Sequence, residues 1–345
     1  MTSTPAAEPT PPAPVHDERR LYAALLTVAA APHVRTRESI ARIMWTVSAT
    51  LAPAVAWAAW QFGLRALAQV AVCAGAAVAC EAAIQKFRGV PITWRDGSAF
   101  LTGLLLALCI PVGMPLWMTA LGAVFAIGIA KQPFGGLGHN IFNPAHAGRA
   151  FLLASFPVQM TTWTALTTQV DVVTSATPLG MLKEQGMPAV VATFGGPSGL
   201  YQSLFLGNVN GSLGEVSALL LLLGGLFLVW KRYIFWQGPV FYIGTVALLA
   251  WVLGGPGWFD GDPLFHVLSG GLVLGAFFML TDMVTSPITA KGQVIFAVGA
   301  GLLVFLIRKF GGYPEGVCYS ILLMNCFTPL IDRFVSPRTP KEAHA

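Results

Sequence analysis

Long apolar runs, interrupted by short clusters of Gly, Pro and charge, set the pattern of this chain. Ten of them reach or approach the roughly 20 apolar residues that cross a hydrocarbon core as a helix. They fall at 41–62, 65–84, 97–112, 115–131, 143–158, 214–230, 238–254, 263–281, 291–308 and 316–334. Several are short or carry Gly and Pro, and the fifth contains Arg149. A polar loop of about 55 residues separates the fifth run from the sixth. The pattern predicts an all-α polytopic membrane protein of about ten transmembrane helices.

Composition agrees. Of 345 residues 55% are hydrophobic and 10% are charged, against about 25% charged in soluble domains. Too little charge is present to cover a globular surface in water. Residues 1–15, MTSTPAAEPTPPAPV, are Pro-rich without an apolar core and fit a disordered lead-in rather than a signal peptide. The net charge of +5 is not a nucleic-acid signal, because most Lys and Arg flank apolar runs. With the N-terminus in the cytoplasm, fifteen Lys and Arg fall on the cytoplasmic side and four on the other. That bias places both termini inside and the long loop in the periplasm of a bacterial inner membrane. The chain divides accordingly into a cytoplasmic segment 1–40, a first helical half 41–158, the loop 159–213, a second half 214–334 and a tail 335–345.

The halves carry a repeat. GAVFAIGIAKQPFGG (122–136) is similar to VGAGLLVFLIRKFGG (298–312), and FLTGLLLAL (100–108) to VLSGGLVLG (267–275). Each half holds five spans. Five is odd, so the second half enters the membrane from the opposite side, which predicts two inverted five-helix repeats. Broken segments in such folds leave backbone groups near the midplane that require a helix, water, ion or cofactor as partner.

The densest polar stretch at a membrane run is KQPFGGLGHNIFNPAHAGRAFLLASFP, from Lys131 to Pro157. Its Gly and Pro disfavour regular helix before Asn143, and Asn143-Pro144 reads as an N-cap with Pro at the first helical position. Asn143, His146 and Arg149 share a helix face at spacing three. With Asn140 they form a candidate cradle for a polar, flat or anionic cofactor; the alternative is a re-entrant turn that satisfies its own backbone. In the second half Asp282 and Glu315 are candidates for cofactor contact, proton passage or cation contact, although interfacial solvation explains them as well. Asp96 reads as an interfacial N-cap. The five cysteines form no CxxC or Cys/His cluster, and no metal site is predicted.

In QVDVVTSATPLGMLK (169–183), Thr177 precedes Pro178, which favours an extended backbone, and its neighbours Ser175 and Ala176 are small. A hydroxyl so flanked on a polar loop is open to a modifying enzyme. The run from Asp171 through Thr174, Ser175 and Ala176 to Thr177 resembles the flavinylation motif D-x-x-[ST]-[GS]-A-T. APHVRTRESIARIMW (31–45), FGGLGHNIFNPAHAGRAFL (134–152), FFMLTDMVTSP (277–287) and GGYPEGVCYSILLMNCFTPLIDR (311–333) agree with it. Together they resemble the D subunits of Rnf electron-transport complexes, a family similar to the B subunits of Na⁺-translocating NADH:quinone reductases. The resemblance covers about residues 30–335.

That resemblance implies FMN joined through its phosphate to Thr177 by a flavin transferase, with Asp171 and Ser175 framing the attachment site. It also implies a second, non-covalent flavin, riboflavin, whose contacts the motifs do not locate. The chain would relay electrons between NADH and ferredoxin or flavodoxin, coupled to Na⁺ or H⁺ movement. It has no NAD fingerprint and no iron–sulfur cysteine set, so partner subunits (A, B, C, E and G in this family) would supply them, and it would not be a complete enzyme alone. The rival class is an inverted-repeat transporter or channel without a redox cofactor, and a third is a membrane scaffold. Attachment at Thr177 is what separates the first class from the others.

Overall fold

The computed structural model describes residues 38–163, 176–215 and 217–335; Asp171 and Ser175 lie outside them. The described residues are helical with no strand, and the helices belong to one compact unit, Ile40–Ala345. Five helices make the first half: α1 (Ile40–Phe62), α2 (Leu64–Phe87), α3 (Ser98–Leu108), α4 (Leu116–Gly128) and α5 (Pro144–Ser155). Four short ones follow: α6 (Pro157–Thr161), α7 (Pro178–Gln185), α8 (Met187–Thr193) and α9 (Pro197–Leu206). The second half holds α10 (Ala218–Trp230), α11 (Gln237–Leu253), α12 (Pro263–Leu268), α13 (Leu272–Leu274), α14 (Ala290–Phe310) and α15 (Val317–Val335).

Three helices, α1, α2 and α14, are long and apolar enough to cross a membrane, and α3, α10 and α11 are shorter and apolar. Trp60, Leu64, Leu223, Trp230, Phe310 and Phe334 are more than half exposed. Water would penalise that surface by about 25 cal/mol per Å², whereas lipid tails match it. Trp60, Trp230 and Phe334 sit at or near helix ends, where amphipathic rings suit the interface.

Both halves are packed in the same order. The second helix lies against the third and fourth, and the fourth against the fifth: α2 on α3 and α4, α4 on α5; then α11 on α12 and α14, α14 on α15. Across the halves, α1 meets α10 and α5 meets α15, each first or last helix touching its own counterpart. The connections also fall into two groups. Arg65 donates to Val112 O, Gln61 to Asn208, Lys183 to Gly311 O and Tyr201 to Asp262. At the other end Trp45 donates to Arg95 O, Arg88 to Gln132 O and Lys131 to Ser98.

Glycine permits a close crossing. A Cβ on Gly148 of α5 would stand 2.8 Å from Gly122 O of α4 and 3.0 Å from the Ala126 methyl. Gly148→Ala is expected to push these helices apart, at about 1–3 kcal/mol for over-packing. A lower unfolding temperature of the purified protein would register it, while Gly75→Ala, in open space, should leave the temperature unchanged.

Two expectations require correction. The run 263–281 is not one helix: it breaks at Ser269–Gly271, where Gly270 has φ +69°, and resumes as α13 and a π-turn at Gly275–Met279. The stretch 159–213 is not merely a polar loop. Leu179, Val190, Leu200, Leu204 and Val209 form a core of their own on the fully buried Phe265 of α12. Its helices are only five to ten residues long and each begins at or beside a Pro, so no helical period lasts long enough to stand out in the sequence.

Candidate functional site

The expected cradle exists but is divided. Asn143 caps α5 as read, its side-chain oxygen accepting the N–H groups of Ala145 (3.0 Å) and His146 (3.3 Å). Its amide donates to Met279 O at the π-turn (3.4 Å). With the Asn325 amide oriented to donate to Ile321 O, its oxygen accepts Asn143 N–H at 3.0 Å. Asn143 is therefore largely committed to joining the halves. The shared face that spacing predicted does not form one surface: Asn140 and Asn143 line one cavity, Arg149 another, and His146 lines neither. The rise along α5 separates Asn143 from Arg149 by nearly two turns. His146 is 1% exposed, and neither ring nitrogen has a hydrogen-bond partner among the described residues.

The inner cavity, about 90 Å³, lies among α1, α3, the turn before α5, and the segment after the π-turn. Asn140, Lys131, Thr281 and Asp282 give it polar groups; Phe277, Phe278 and Tyr233 give it aromatic surface. Asn140 uses its amide N–H on Phe142 O (3.0 Å). Asp282 accepts from Val284 N–H (3.2 Å) and the Thr285 hydroxyl (3.3 Å), so its carboxylate also shapes a turn. Lys131 was counted above as a flanking charge. It is instead 1% exposed, paired with Glu81 at 2.8 Å and donating to Ser98 Oγ at 2.7 Å. Gln132 donates to the same Glu81 oxygen at 2.7 Å. Asp96 accepts from Ser98 N–H (2.8 Å), but it ends the turn Trp94–Asp96, and Gly97, not Asp96 as expected, is the N-cap of α3.

The outer cavity holds Thr177 and has a volume of about 560 Å³. Its walls come from Arg149 and Leu153 of α5, Trp163, the start of α7, Gly312–Glu315, and Cys318 and Tyr319 of α15. Thr177 has the extended backbone expected before Pro178 (φ −70°, ψ 156°) and caps α7, its hydroxyl oxygen accepting Gly180 N–H at 3.1 Å. It is 3% exposed rather than free on a water-facing loop; capping turns the side chain back over its own helix, against the bundle. A helix N-terminus favours a phosphate, and a Cβ on Gly180 would crowd the threonine oxygen at 3.3 Å. Tyr313 and Tyr319 stack with centroids 6.3 Å apart and give the cavity an aromatic side.

Arg149 forms an ion pair with Glu315 across the two halves, both side chains under 10% exposed. The Arg149 Nε and the second Glu315 oxygen find no hydrogen-bond partner among the described residues. Glu215 joins the cluster by contact with Glu315. Arg308, also taken above as a flanking charge, is buried and donates to His266 O (2.5 Å) and Ser269 O (3.1 Å), stitching the break before α13. Removing Lys131 and Arg308 from the charge count leaves fourteen against three, so its sign stands. Outside the bundle, the Asp262 carboxylate accepts from the Tyr201 hydroxyl at 2.5 Å, which holds that proton and pushes the phenol up to about 12.

The sequence reading passed over Glu81, Glu215, Lys131 and Arg308 as site members. Each lies in or at the edge of an apolar run, and an ionisable group there needs a partner; that was the available signal. No group of three or more His, Cys, Asp or Glu is placed to hold a metal among the described residues.

An all-α bundle with apolar outer faces, and with buried ion pairs beside the two cavities described, defines a helical membrane protein. The chain belongs to the NQR2, RnfD, RnfE family, whose model it matches over residues 27–341. It is 56% identical over 322 residues to the D subunit of the proton-translocating ferredoxin:NAD(+) oxidoreductase complex of Clostridium ljungdahlii (93% of this chain, 97% of the relative). It is 51% identical over 316 residues to the Na(+)-translocating counterpart of Acetobacterium woodii (91% and 94%). Identity to the D subunit of the ion-translocating oxidoreductase complex of Stutzerimonas stutzeri is 44% over 328 residues (88% and 92%).

Proposed function

We propose that this chain is the D subunit of an Rnf-type ion-translocating ferredoxin:NAD oxidoreductase, with FMN esterified through its phosphate to Thr177. The observation that carries the reading is the placement of Thr177: a helix-capping hydroxyl facing a cavity large enough for a flavin, opposite Arg149 and beside two stacked tyrosines. The α7 amides and Arg149 suit the phosphate and any negative charge on the ring, and Tyr313 and Tyr319 suit its flat face. Bound there, a flavin accepts and passes electrons singly or in pairs. The chain's own part is to tether, orient and surround it with fixed charge. Asp171 and Ser175 belong to the recognition frame of the transferase in this reading.

For the second, non-covalent flavin the inner cavity offers Asn140, Lys131 and Asp282 as polar contacts and Phe277 and Phe278 as apolar ones, and it would have to widen to admit the ring. The fold in this reading is ten spans in two inverted five-helix repeats. The equal packing order of the halves and the meeting of counterpart helices support it, because a two-fold axis brings like elements together. The charge bias supports an inner-membrane protein with cytoplasmic termini and a periplasmic 159–213. NAD and iron–sulfur chemistry fall to the other Rnf subunits (A, B, C, E and G). The choice of Na⁺ or H⁺ does not follow from relatedness, since relatives at 56% and 51% identity carry names with different ions.

A transporter without redox cofactor would share the broken eighth span and the buried charges. The test is in-gel fluorescence of the denatured chain made together with its flavin transferase, followed by mass mapping of peptides. A fluorescent band with FMN on the peptide containing Thr177 is expected. A dark band, or the adduct on a different peptide, overturns the assignment in favour of the transporter.

A further inference from the structure

Glu215 and Glu315 are two buried carboxylates of which one alone is bound to a cation. Glu315 directs one oxygen at Arg149, and its other oxygen, Oε1, meets no N–H or hydroxyl donor among the described residues. The group within hydrogen-bonding reach of Glu315 is the Glu215 side chain. Glu215 is itself 9% exposed and already accepts the Ser212 hydroxyl at 2.8 Å through its Oε1. Ionised carboxylates are acceptors only. Two of them in contact, out of water, repel unless one carries a hydrogen to share.

The surrounding charges point the same way. Arg149 from α5 and Arg308 from α14 are the cations acting on the pair; Cys109 at the end of α3 and Cys318 from α15 are the other titratable neighbours. Arg149 is bound to Glu315, not Glu215, and Arg308 directs its hydrogen bonds at backbone carbonyls. Glu315 thus has a direct cationic partner and Glu215 has none among the described residues, which assigns the ionised form to Glu315 and the hydrogen to Glu215.

We propose that Glu215 and Glu315 form a proton-sharing acid pair, in which Glu215 donates to Glu315 Oε1 while Glu315 stays ionised against Arg149, making a proton-binding site in the wall of the outer cavity. With that proton bound, two arginines and one carboxylate leave the cluster with one net positive charge, where Arg149 and Glu315 line the cavity and Arg308 lies behind them; without it the cluster is neutral. The site therefore complements one negative charge in the cavity, and gain of negative charge there holds the proton while its loss releases it to the outer water. This last link rests on the flavin reading of Thr177; the acid pair itself does not.

The experiment is infrared difference spectroscopy of the intact complex on exchange from H₂O to D₂O, which needs no electron transfer. A downshift of a protonated-carboxyl carbonyl stretch is expected in wild type. It should be lost in Glu215→Gln, whose amide still donates to Glu315, and kept in Glu184→Gln on the cavity rim. Should Glu215→Gln fail to assemble, Glu215→Asp keeps an acid and is expected to move the band. No exchangeable carboxyl band in wild type, or a band unmoved by either Glu215 change, overturns the pair. In complex that has passed the gel test, the reduced-minus-oxidised spectrum should contain the same band, absent from Glu215→Gln. A band seen on exchange but not on reduction retains the pair and removes its link to the flavin. A dark gel removes the flavin reading and leaves the exchange result to decide the pair.

Discussion

Thr177→Val is expected to abolish covalent flavin on this chain and to reduce electron transfer through the assembled complex to the level of complex lacking the chain. Valine keeps the shape and removes the oxygen to which the phosphate is joined. It also removes the α7 cap, since that oxygen accepts Gly180 N–H at 3.1 Å, at about 1 kcal/mol. Two losses are therefore superimposed, and Thr177→Ser separates them. Serine restores both cap and nucleophilic oxygen and should recover much of the fluorescent band. Thr177→Asn restores the cap alone and should remain dark. A dark Thr177→Ser with assembled complex would show that the methyl matters to the transferase; a bright Thr177→Val would end the phosphoester reading. The measurement is fluorescence per mole of chain, beside ferredoxin:NAD activity of the same membranes.

The largest effect on stability is expected at Arg149. Arg149→Met leaves Glu315 ionised, under 10% exposed and without its cation. Removing one partner of a buried pair costs about 3–5 kcal/mol, while replacing both is often close to neutral. Arg149→Met should accordingly lower the unfolding temperature of the detergent-solubilised protein sharply, and the double variant Arg149→Met/Glu315→Gln should regain most of it. The pair joins α5 of the first half to the turn before α15 of the second, so loss is also expected as increased proteolysis between 156 and 217. Equal destabilisation of single and double variants would mean that Arg149 acts through packing and not through charge. Because the double variant removes one positive and one negative charge from the wall of the outer cavity, it should hold flavin on Thr177 with its redox potential little shifted.

Much of this was legible from pattern. The apolar runs located the helices of both halves, apart from the broken run 263–281, and Asn143-Pro144 gave a cap that the structure holds. Lys131 and Arg308 misled because a cation at the edge of an apolar run looks the same whether it meets water or a buried carboxylate. The partner decides, and Glu81 stands fifty residues from Lys131. Asn143, His146 and Arg149 misled for a related reason. Helical spacing specifies direction around an axis, but cavities are bounded by other helices, and those cut the face between Asn143 and Arg149.

The sequence by itself determined the helical class, the lipid-facing character, the family and the threonine to watch, because each depends on local composition, period or a contiguous motif. The tertiary structure alone decided that this threonine is buried on a wall with Arg149, that Glu315 is shared between Arg149 and Glu215, and that the long loop has a core of its own. Those facts depend on contacts between residues far apart in sequence, such as Arg149 with Glu315 or Leu179 with Phe265. Long-range packing creates the low-polarity surroundings in which a single proton or charge becomes decisive, and no local pattern of residues records it.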